Sequence, residues 1–196
     1  MRPAVFLDRD GTMVREVGYL GRAEDLHWFP WTVEAIRLLR RAGFLICVTT
    51  NQGGIGLGLF SETFLQQLHR TMDGHLARAG AAVDGWFYCP HHPRAVIVEF
   101  AIDCECRKPN PGMIRQAVRQ FDIDPSRSFV IGDKQIDVGL AEQAGTRGVL
   151  VRTGQGEEEL ARRGGMMPGA AHVAANLLEA ASWILVATGH PKEPVA

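Results

Sequence analysis

Short runs of continuous apolar residues alternate with segments of helical period along most of the chain, and this alternation restricts the fold more than any single motif. Residues 4–8, 44–49, 86–88, 129–131 and 149–151 are such runs, rich in Val, Ile, Leu and Phe. A strand that is apolar at every position, rather than at every second one, is buried on both faces. Between the runs lie helical segments at residues 33–42, about 61–79, about 111–121 and about 136–144. Gly43, Gly80 and Gly145 follow three of them as C-terminal stops. Ser61 stands where an N-cap is needed, and Asn110-Pro111 reads as a cap followed by proline at the first helical position. Strand and helix in strict alternation predict an α/β fold: a doubly wound, Rossmann-like parallel sheet with helices on both faces. Residues 153–159 read as a polar loop and a last helix is expected near 176–182, with 189–196 a loose tail. No repeat or linker divides the 196 residues, so 1–188 are expected to form one domain without a large cap.

Ligands of such sheets sit beyond the carboxyl ends of the strands. Three predicted strands end there in polar groups: Asp8-Arg9-Asp10, Thr49-Thr50-Asn51 and Asp133-Lys134. Carboxylates brought together at one edge repel, which is costly unless a cation or a shared proton offsets it. Asp133, and Asp137 one helical turn on, add acids that suit a hard cation such as Mg²⁺. The glycine-dense turn Asn51–Gly58 lacks the Gly-Lys-Ser/Thr of a nucleotide-binding loop. It reads instead as a tight turn that brings the backbone N–H groups of Gln52 and Gly53 toward a substrate.

Three of the four cysteines crowd into residues 89–107, a stretch with no helical or strand period. Cys89, Cys104 and Cys106, with His91 or His92, make a Cys₃His set that suits tetrahedral Zn²⁺ and leaves no open coordination position. Such a metal is structural. It orders a loop that has no core of its own and thereby positions Arg107 and Lys108, which follow at once. Cys47, inside an apolar run, is a core residue.

A net charge of −1 argues against a nucleic-acid reader built on the Cys/His loop. No apolar stretch is long enough to cross a bilayer, and the opening apolar run meets Asp8, Arg9 and Asp10 too early for a secretion signal. A cytoplasmic protein is expected, a monomer without nucleic-acid or membrane partners.

Asp8-Arg9-Asp10-Gly11-Thr12, Thr50-Asn51, Lys108-Pro109 and Gly132-Asp133 with Asp137 resemble, in order, the four motifs of the haloacid-dehalogenase-like phosphohydrolases. Gly18-Tyr19, Cys89-Pro90-His91-His92-Pro93, the Cys104–Pro109 segment and Val151–Gly154 extend the likeness to members with a zinc loop that act on a phosphorylated heptose. The resemblance implies a Mg²⁺-dependent phosphatase working through an aspartyl-phosphate, with the 7-phosphate of heptose 1,7-bisphosphate as substrate. Histidinol phosphate is the alternative. The resemblance makes Asp8 the nucleophile and Asp10 the acid and base. Asp8, the Asp10 carbonyl and Asp133 become the Mg²⁺ ligands, and Thr50 and Lys108 bind the phosphoryl oxygens. Arg107 then serves a second phosphate or a sugar oxygen. Gly18, Tyr19, Asn51, Gln52, Gly53 and Lys134 contact substrate, and His91 rather than His92 completes the zinc set. Arg9, between two key acids, is expected to point away and form a structural ion pair. Gly53, where the family commonly has serine, and Glu16-Val17 depart from its pattern.

Overall fold

In the computed structural model, which describes residues 1–189, β1 (Ala4–Leu7) and β2 (Leu45–Asn51) lie side by side. β3 (Gly85–Cys89), β4 (Phe129–Gly132), β5 (Arg147–Val151) and β6 (Ala170–Ala174) complete a sheet of order β3-β2-β1-β4-β5-β6, parallel at every pairing. The chain therefore leaves β1 in one direction and later returns to its other side with β4. The gap between the carboxyl ends of β1 and β4 is a topological switch point, where open α/β sheets bind ligands.

Side chains of a strand alternate between faces, and here each face has its own core. Val5 and Leu7, Ile46 and Val48, and Phe129 and Ile131 enter one core. Ala4 and Phe6, Leu45 and Cys47, and Val130 enter the other. The first core is covered by α1 (Thr32–Arg41), α2 (Glu62–Arg78) and α6 (Leu177–Ala187), the second by α3 (Gly112–Phe121) and α4 (Gln135–Ala144). Burial on both sides is why these strands carry no polar alternation. Each large aliphatic so buried contributes about 1.5–3 kcal/mol against chain entropy. Cys47 is a core residue as expected, its thiol pushed up to about 12 by burial. Ser61 caps α2, its hydroxyl accepting from the Phe64 N–H.

Four expectations need correction. Residues 153–159 are not wholly loop, because α5 (Gly156–Ala161) begins within them. Its acidic first turn suits the helix dipole, and Arg162 and Arg163 pair back to Glu158 and Glu159. β6 forms where no strand is predicted, and α6 runs five residues past the expected end. Asn110 is not the cap of α3, which starts after Pro111. Its side chain donates instead to the Cys104 carbonyl at 2.8 Å. Apart from Gly189 the expected tail lies outside the described residues. Among these residues no helix is long and apolar enough to cross a membrane.

Candidate active site

Asp8 follows β1 directly, and its backbone N–H donates to the Ile131 carbonyl of β4, which ties the two strand ends together at 2.9 Å. The Asp8 carboxylate accepts from Lys108 Nζ at 2.7 Å, and the same ammonium donates to Asp137 at 2.7 Å and to the Thr49 carbonyl at 2.9 Å. Asp8, Lys108 and Asp137 are all buried. Burial alone would lower the Lys108 pKa, but the charges of Asp137 and Asp8 outweigh it and hold the ammonium protonated. Asn51 fixes this lysine from behind. Its Oδ1 accepts from the Lys108 N–H at 3.0 Å and its Nδ2 donates to the Lys108 carbonyl. The Asn51 side chain thus holds the Lys108 backbone in place.

Asp133, the first residue after β4, is fully buried and accepts from the Gln155 N–H at 2.8 Å. Carboxylate oxygens of Asp8, Asp133 and Asp137 lie within 4.8 Å of one another. Burial, and then the Asp8 charge, push the Asp133 carboxyl up to about 7. Gly11, with φ +86°, crosses directly over that carboxylate. Any Cβ there would overlap the Asp133 oxygens, so the position needs glycine for space as well as for its dihedral. Lys134 lies 3.2 Å from Asp133 and 3.0 Å from Glu16. Its charge is therefore already balanced by two acids.

The Asp10 carboxylate and the Thr50 hydroxyl form a second group, joined by Gln52. Gln52 Nε2 donates to Asp10 at 2.9 Å and to Thr50 Oγ1 at 2.8 Å. Arg9 lines no part of the pocket described below. It is an ion-pair residue, and its guanidinium returns to Asp10. The Gln52 N–H is also not free for a substrate, since it donates to the Cys89 carbonyl at 2.8 Å. The glycine turn is a seat for the Cys/His loop: Gly56 accepts from the N–H groups of Val96 and Ile97, and a side chain there would overlap the Pro90 carbonyl.

These groups open onto one pocket of about 370 Å³. Asp8, Asp10, Thr50 and Lys108 line its floor, with Asn51 and Gln52 beside them, and Gly18, Tyr19, Arg107 and Lys134 around them. Gly53 does not line it. A Cβ on Gly53 would meet the His92 ring and its Cβ and the Arg107 guanidinium. Glu16, Ile136 and Gln155 line the pocket without having been foreseen. Glu16 could have been found only by asking which acid balances Lys134. Gln155 acts through its backbone, which leaves no side-chain signature.

The four ligand atoms of the cysteine loop converge. Cys89 Sγ lies 3.5 Å from His91 Nδ1 and 3.6 Å from Cys104 Sγ. Cys106 Sγ lies 3.2 Å from His91 Nδ1 and 3.3 Å from Cys104 Sγ. Tetrahedral zinc with bonds near 2.3 Å sets its sulfurs about 3.8 Å apart, so little adjustment is needed to hold the ion. His92 faces elsewhere, with its Nδ1 accepting from the Arg94 N–H. Hydrogen bonds from Cys89 and the other two ligands pull the Cys106 thiol down to about 5, and the same contact pushes the Cys89 thiol up. Arg107 Nη1 donates to the His91 carbonyl at 2.7 Å, which couples the loop to the pocket wall.

Residues 105–180 match the family model described as HAD-hydrolase-like. A D-glycero-β-D-manno-heptose-1,7-bisphosphate 7-phosphatase of Photorhabdus laumondii is 45% identical over 155 residues, 78% of this chain and 82% of that protein. Its Escherichia coli K12 counterpart is 42% identical, over 78% of this chain and 81% of its own. The D,D-heptose 1,7-bisphosphate phosphatase crystallised from B. bronchiseptica with magnesium and phosphate superposes with a TM-score of 0.83 at 34% identity, covering 94% of this chain and 99% of that one. With identity of this order over more than three quarters of its length, the chain belongs to the heptose-1,7-bisphosphate 7-phosphatase family of haloacid-dehalogenase-like hydrolases.

Proposed function

We propose that the chain hydrolyses the 7-phosphate ester of D-glycero-D-manno-heptose 1,7-bisphosphate. The observation that carries this reading is the meeting of Asp8 and the buried Asp133 across the β1/β4 switch point, with Asp8 lining a pocket that also presents Lys108 and Arg107. Such a pocket suits an anionic ester of sugar size.

The donor set fits Mg²⁺. Three buried carboxylates lie within 4.8 Å of one another, and burial with the Asp8 charge leaves Asp133 hard to ionise until a cation arrives. Asp8, Asp133 and the Asp10 carbonyl would hold the ion. Asp137 is already engaged by Lys108 Nζ and the Lys134 N–H, so its part is to orient the lysine. When bound, Mg²⁺ neutralises charge between the attacking carboxylate and the phosphate. The sulfur and imidazole set of Cys89, His91, Cys104 and Cys106 fits structural Zn²⁺ instead.

Asp8 attacks phosphorus. The new bond forms from its carboxylate oxygen as the bond from phosphorus to the sugar oxygen breaks, and that oxygen leaves with the electron pair. Asp10, at the pocket floor, gives it a proton. Water then attacks the aspartyl-phosphate, Asp10 takes the water's proton, and the Asp8 carboxylate is released with inorganic phosphate. Lys108 and Thr50 bind the phosphoryl oxygens as their charge redistributes. Lys134 is neutralised by Glu16 and Asp133, which leaves Arg107 as the cation for the second phosphate. Histidinol phosphate carries a positive charge where the bisphosphate carries a negative one, and Arg107 disfavours it.

Phosphate release from the two compounds tests the reading. With Mg²⁺ present, kcat/KM for the bisphosphate should exceed that for histidinol phosphate by at least about a hundredfold. ³¹P NMR should show the 1-phosphate retained. EDTA should abolish turnover and added Mg²⁺ restore it. Equal rates on both compounds, or a product lacking the 1-phosphate, would refute the substrate assignment.

A further inference from the structure

Asp10 and Thr50 face the pocket, while Arg9 stands behind them and lines no part of it. Arg9 is 1% exposed, and such a buried cation is costly unless its charge is used. Its Nε donates to Asp10 Oδ1 at 3.0 Å and its Nη2 to Asp10 Oδ2 at 2.7 Å, a two-pronged grip that leaves a carboxylate little freedom to rotate. The same Nη2 donates to Gln52 Oε1 at 3.1 Å. That bond settles which end of the Gln52 amide is which: its Nε2 must face Asp10 and Thr50, as observed. Guanidinium, amide, carboxylate and hydroxyl therefore form one connected unit. A further titratable group that feels the Arg9 charge is His69, buried and stacked on Trp86 at 4.2 Å. Burial and the Arg9 charge push its imidazole down to about 3, so it stays neutral and adds no second cation that would compete with the guanidinium for Asp10.

We propose that Arg9 is a positioning residue that, through its fork on Asp10 and its bond to Gln52, locks the proton-transferring carboxylate in register with the Thr50 hydroxyl. Charge neutralisation alone would need neither the fork nor the amide that carries the contact on to Thr50. The proposal rests on the reading of Asp10 as acid and base. A carboxylate free to rotate within its site loses the alignment on which proton transfer depends, and misplacement by about 1 Å costs on the order of a hundredfold in rate.

The test compares two leaving groups in Arg9→Lys and Arg9→Met. A sugar oxygen needs a proton to depart, whereas p-nitrophenolate does not. For heptose 1,7-bisphosphate, kcat should fall about a hundredfold with KM changed less than about threefold. The first-turnover burst of p-nitrophenolate from p-nitrophenyl phosphate should slow by less than about fivefold, and its later steady state should fall, because Asp10 must still activate water. Arg9→Lys retains the charge and loses the fork, so it keeps the comparison available if the methionine variant does not fold. A p-nitrophenolate burst slowed as much as kcat for the bisphosphate, or a loss carried by KM, overturns the proposal. Asp10→Asn is the control. If it discriminates between the leaving groups and the Arg9 variants do not, the positioning role alone fails. If it does not discriminate, the acid-base reading fails and the proposal with it.

Discussion

Asp133→Asn should make the metal-free protein more stable while destroying its response to Mg²⁺. Asp133 is fully buried, and burial with the Asp8 charge raises its carboxyl from the ordinary 3.8 to about 7. The folded chain therefore holds a proton that the unfolded chain releases. Stability from this group is complete below about pH 3.8 and is lost as pH rises through about 7. That separation corresponds to about 4 kcal/mol at roughly 1.36 kcal/mol per pH unit. Asparagine removes the penalty and weakens the bond from the Gln155 N–H, worth about 1 kcal/mol. The net gain is about 3 kcal/mol in EDTA at pH 8, or roughly 6–12 °C in melting temperature for a chain of this size. At pH 5 it should shrink to under about 1 kcal/mol, because much of the penalty has not yet developed. With Mg²⁺ at a hundred times its dissociation constant the parent chain should gain about 2.7 kcal/mol and the variant little. Thermal melts at both pH values, with EDTA and with Mg²⁺, read all four quantities. A variant less stable than its parent in EDTA at pH 8, or a gain independent of pH, would show that the three carboxylates do not strain the metal-free site.

Asp8→Asn should lower phosphate release by at least about a thousandfold. Its melting temperature in EDTA should stay within a few degrees, since an amide oxygen still accepts from Lys108; retained turnover removes Asp8 as nucleophile. Cys104→Ser should lower zinc content and melting temperature together, and turnover with them, because Arg107 hangs on the His91 carbonyl of the same loop. Undiminished zinc by mass spectrometry would show the ligand set to be wrong. Arg107→Met should raise KM for the bisphosphate about 10–100-fold, as expected for losing a charged hydrogen bond of about 1.5–3 kcal/mol, and leave KM for a monophosphate ester nearly unchanged. Equal effects on both esters would place the second phosphate elsewhere.

What could be read from residues alone was whatever burial or charge forces into the open. β1, β2 and β4 run between two cores, so they had to be continuously apolar, and acids placed just past their ends could not be ordinary surface residues. β6, Ala-Ala-His-Val-Ala, pairs on one side only and is partly exposed, so neither rule marks it. The same division runs through the site. Asp8, Asp133, Lys108 and the cysteine loop announce themselves by charge or by ligand chemistry. The neutral amides do not: Asn51 and Gln52 are neighbours in one turn, yet one grips the Lys108 backbone and the other joins Asp10 to Thr50. Nothing in their identity says which does which, because the partners lie 57 and 42 residues away. Arg9 is the instructive intermediate. Strand alternation sends its side chain away from the pocket, but its stem is long enough for the guanidinium to return to the neighbouring carboxylate. Alternation therefore predicts where a side chain sets out, and for arginine the head group's destination is decided by the nearest unpaired anion.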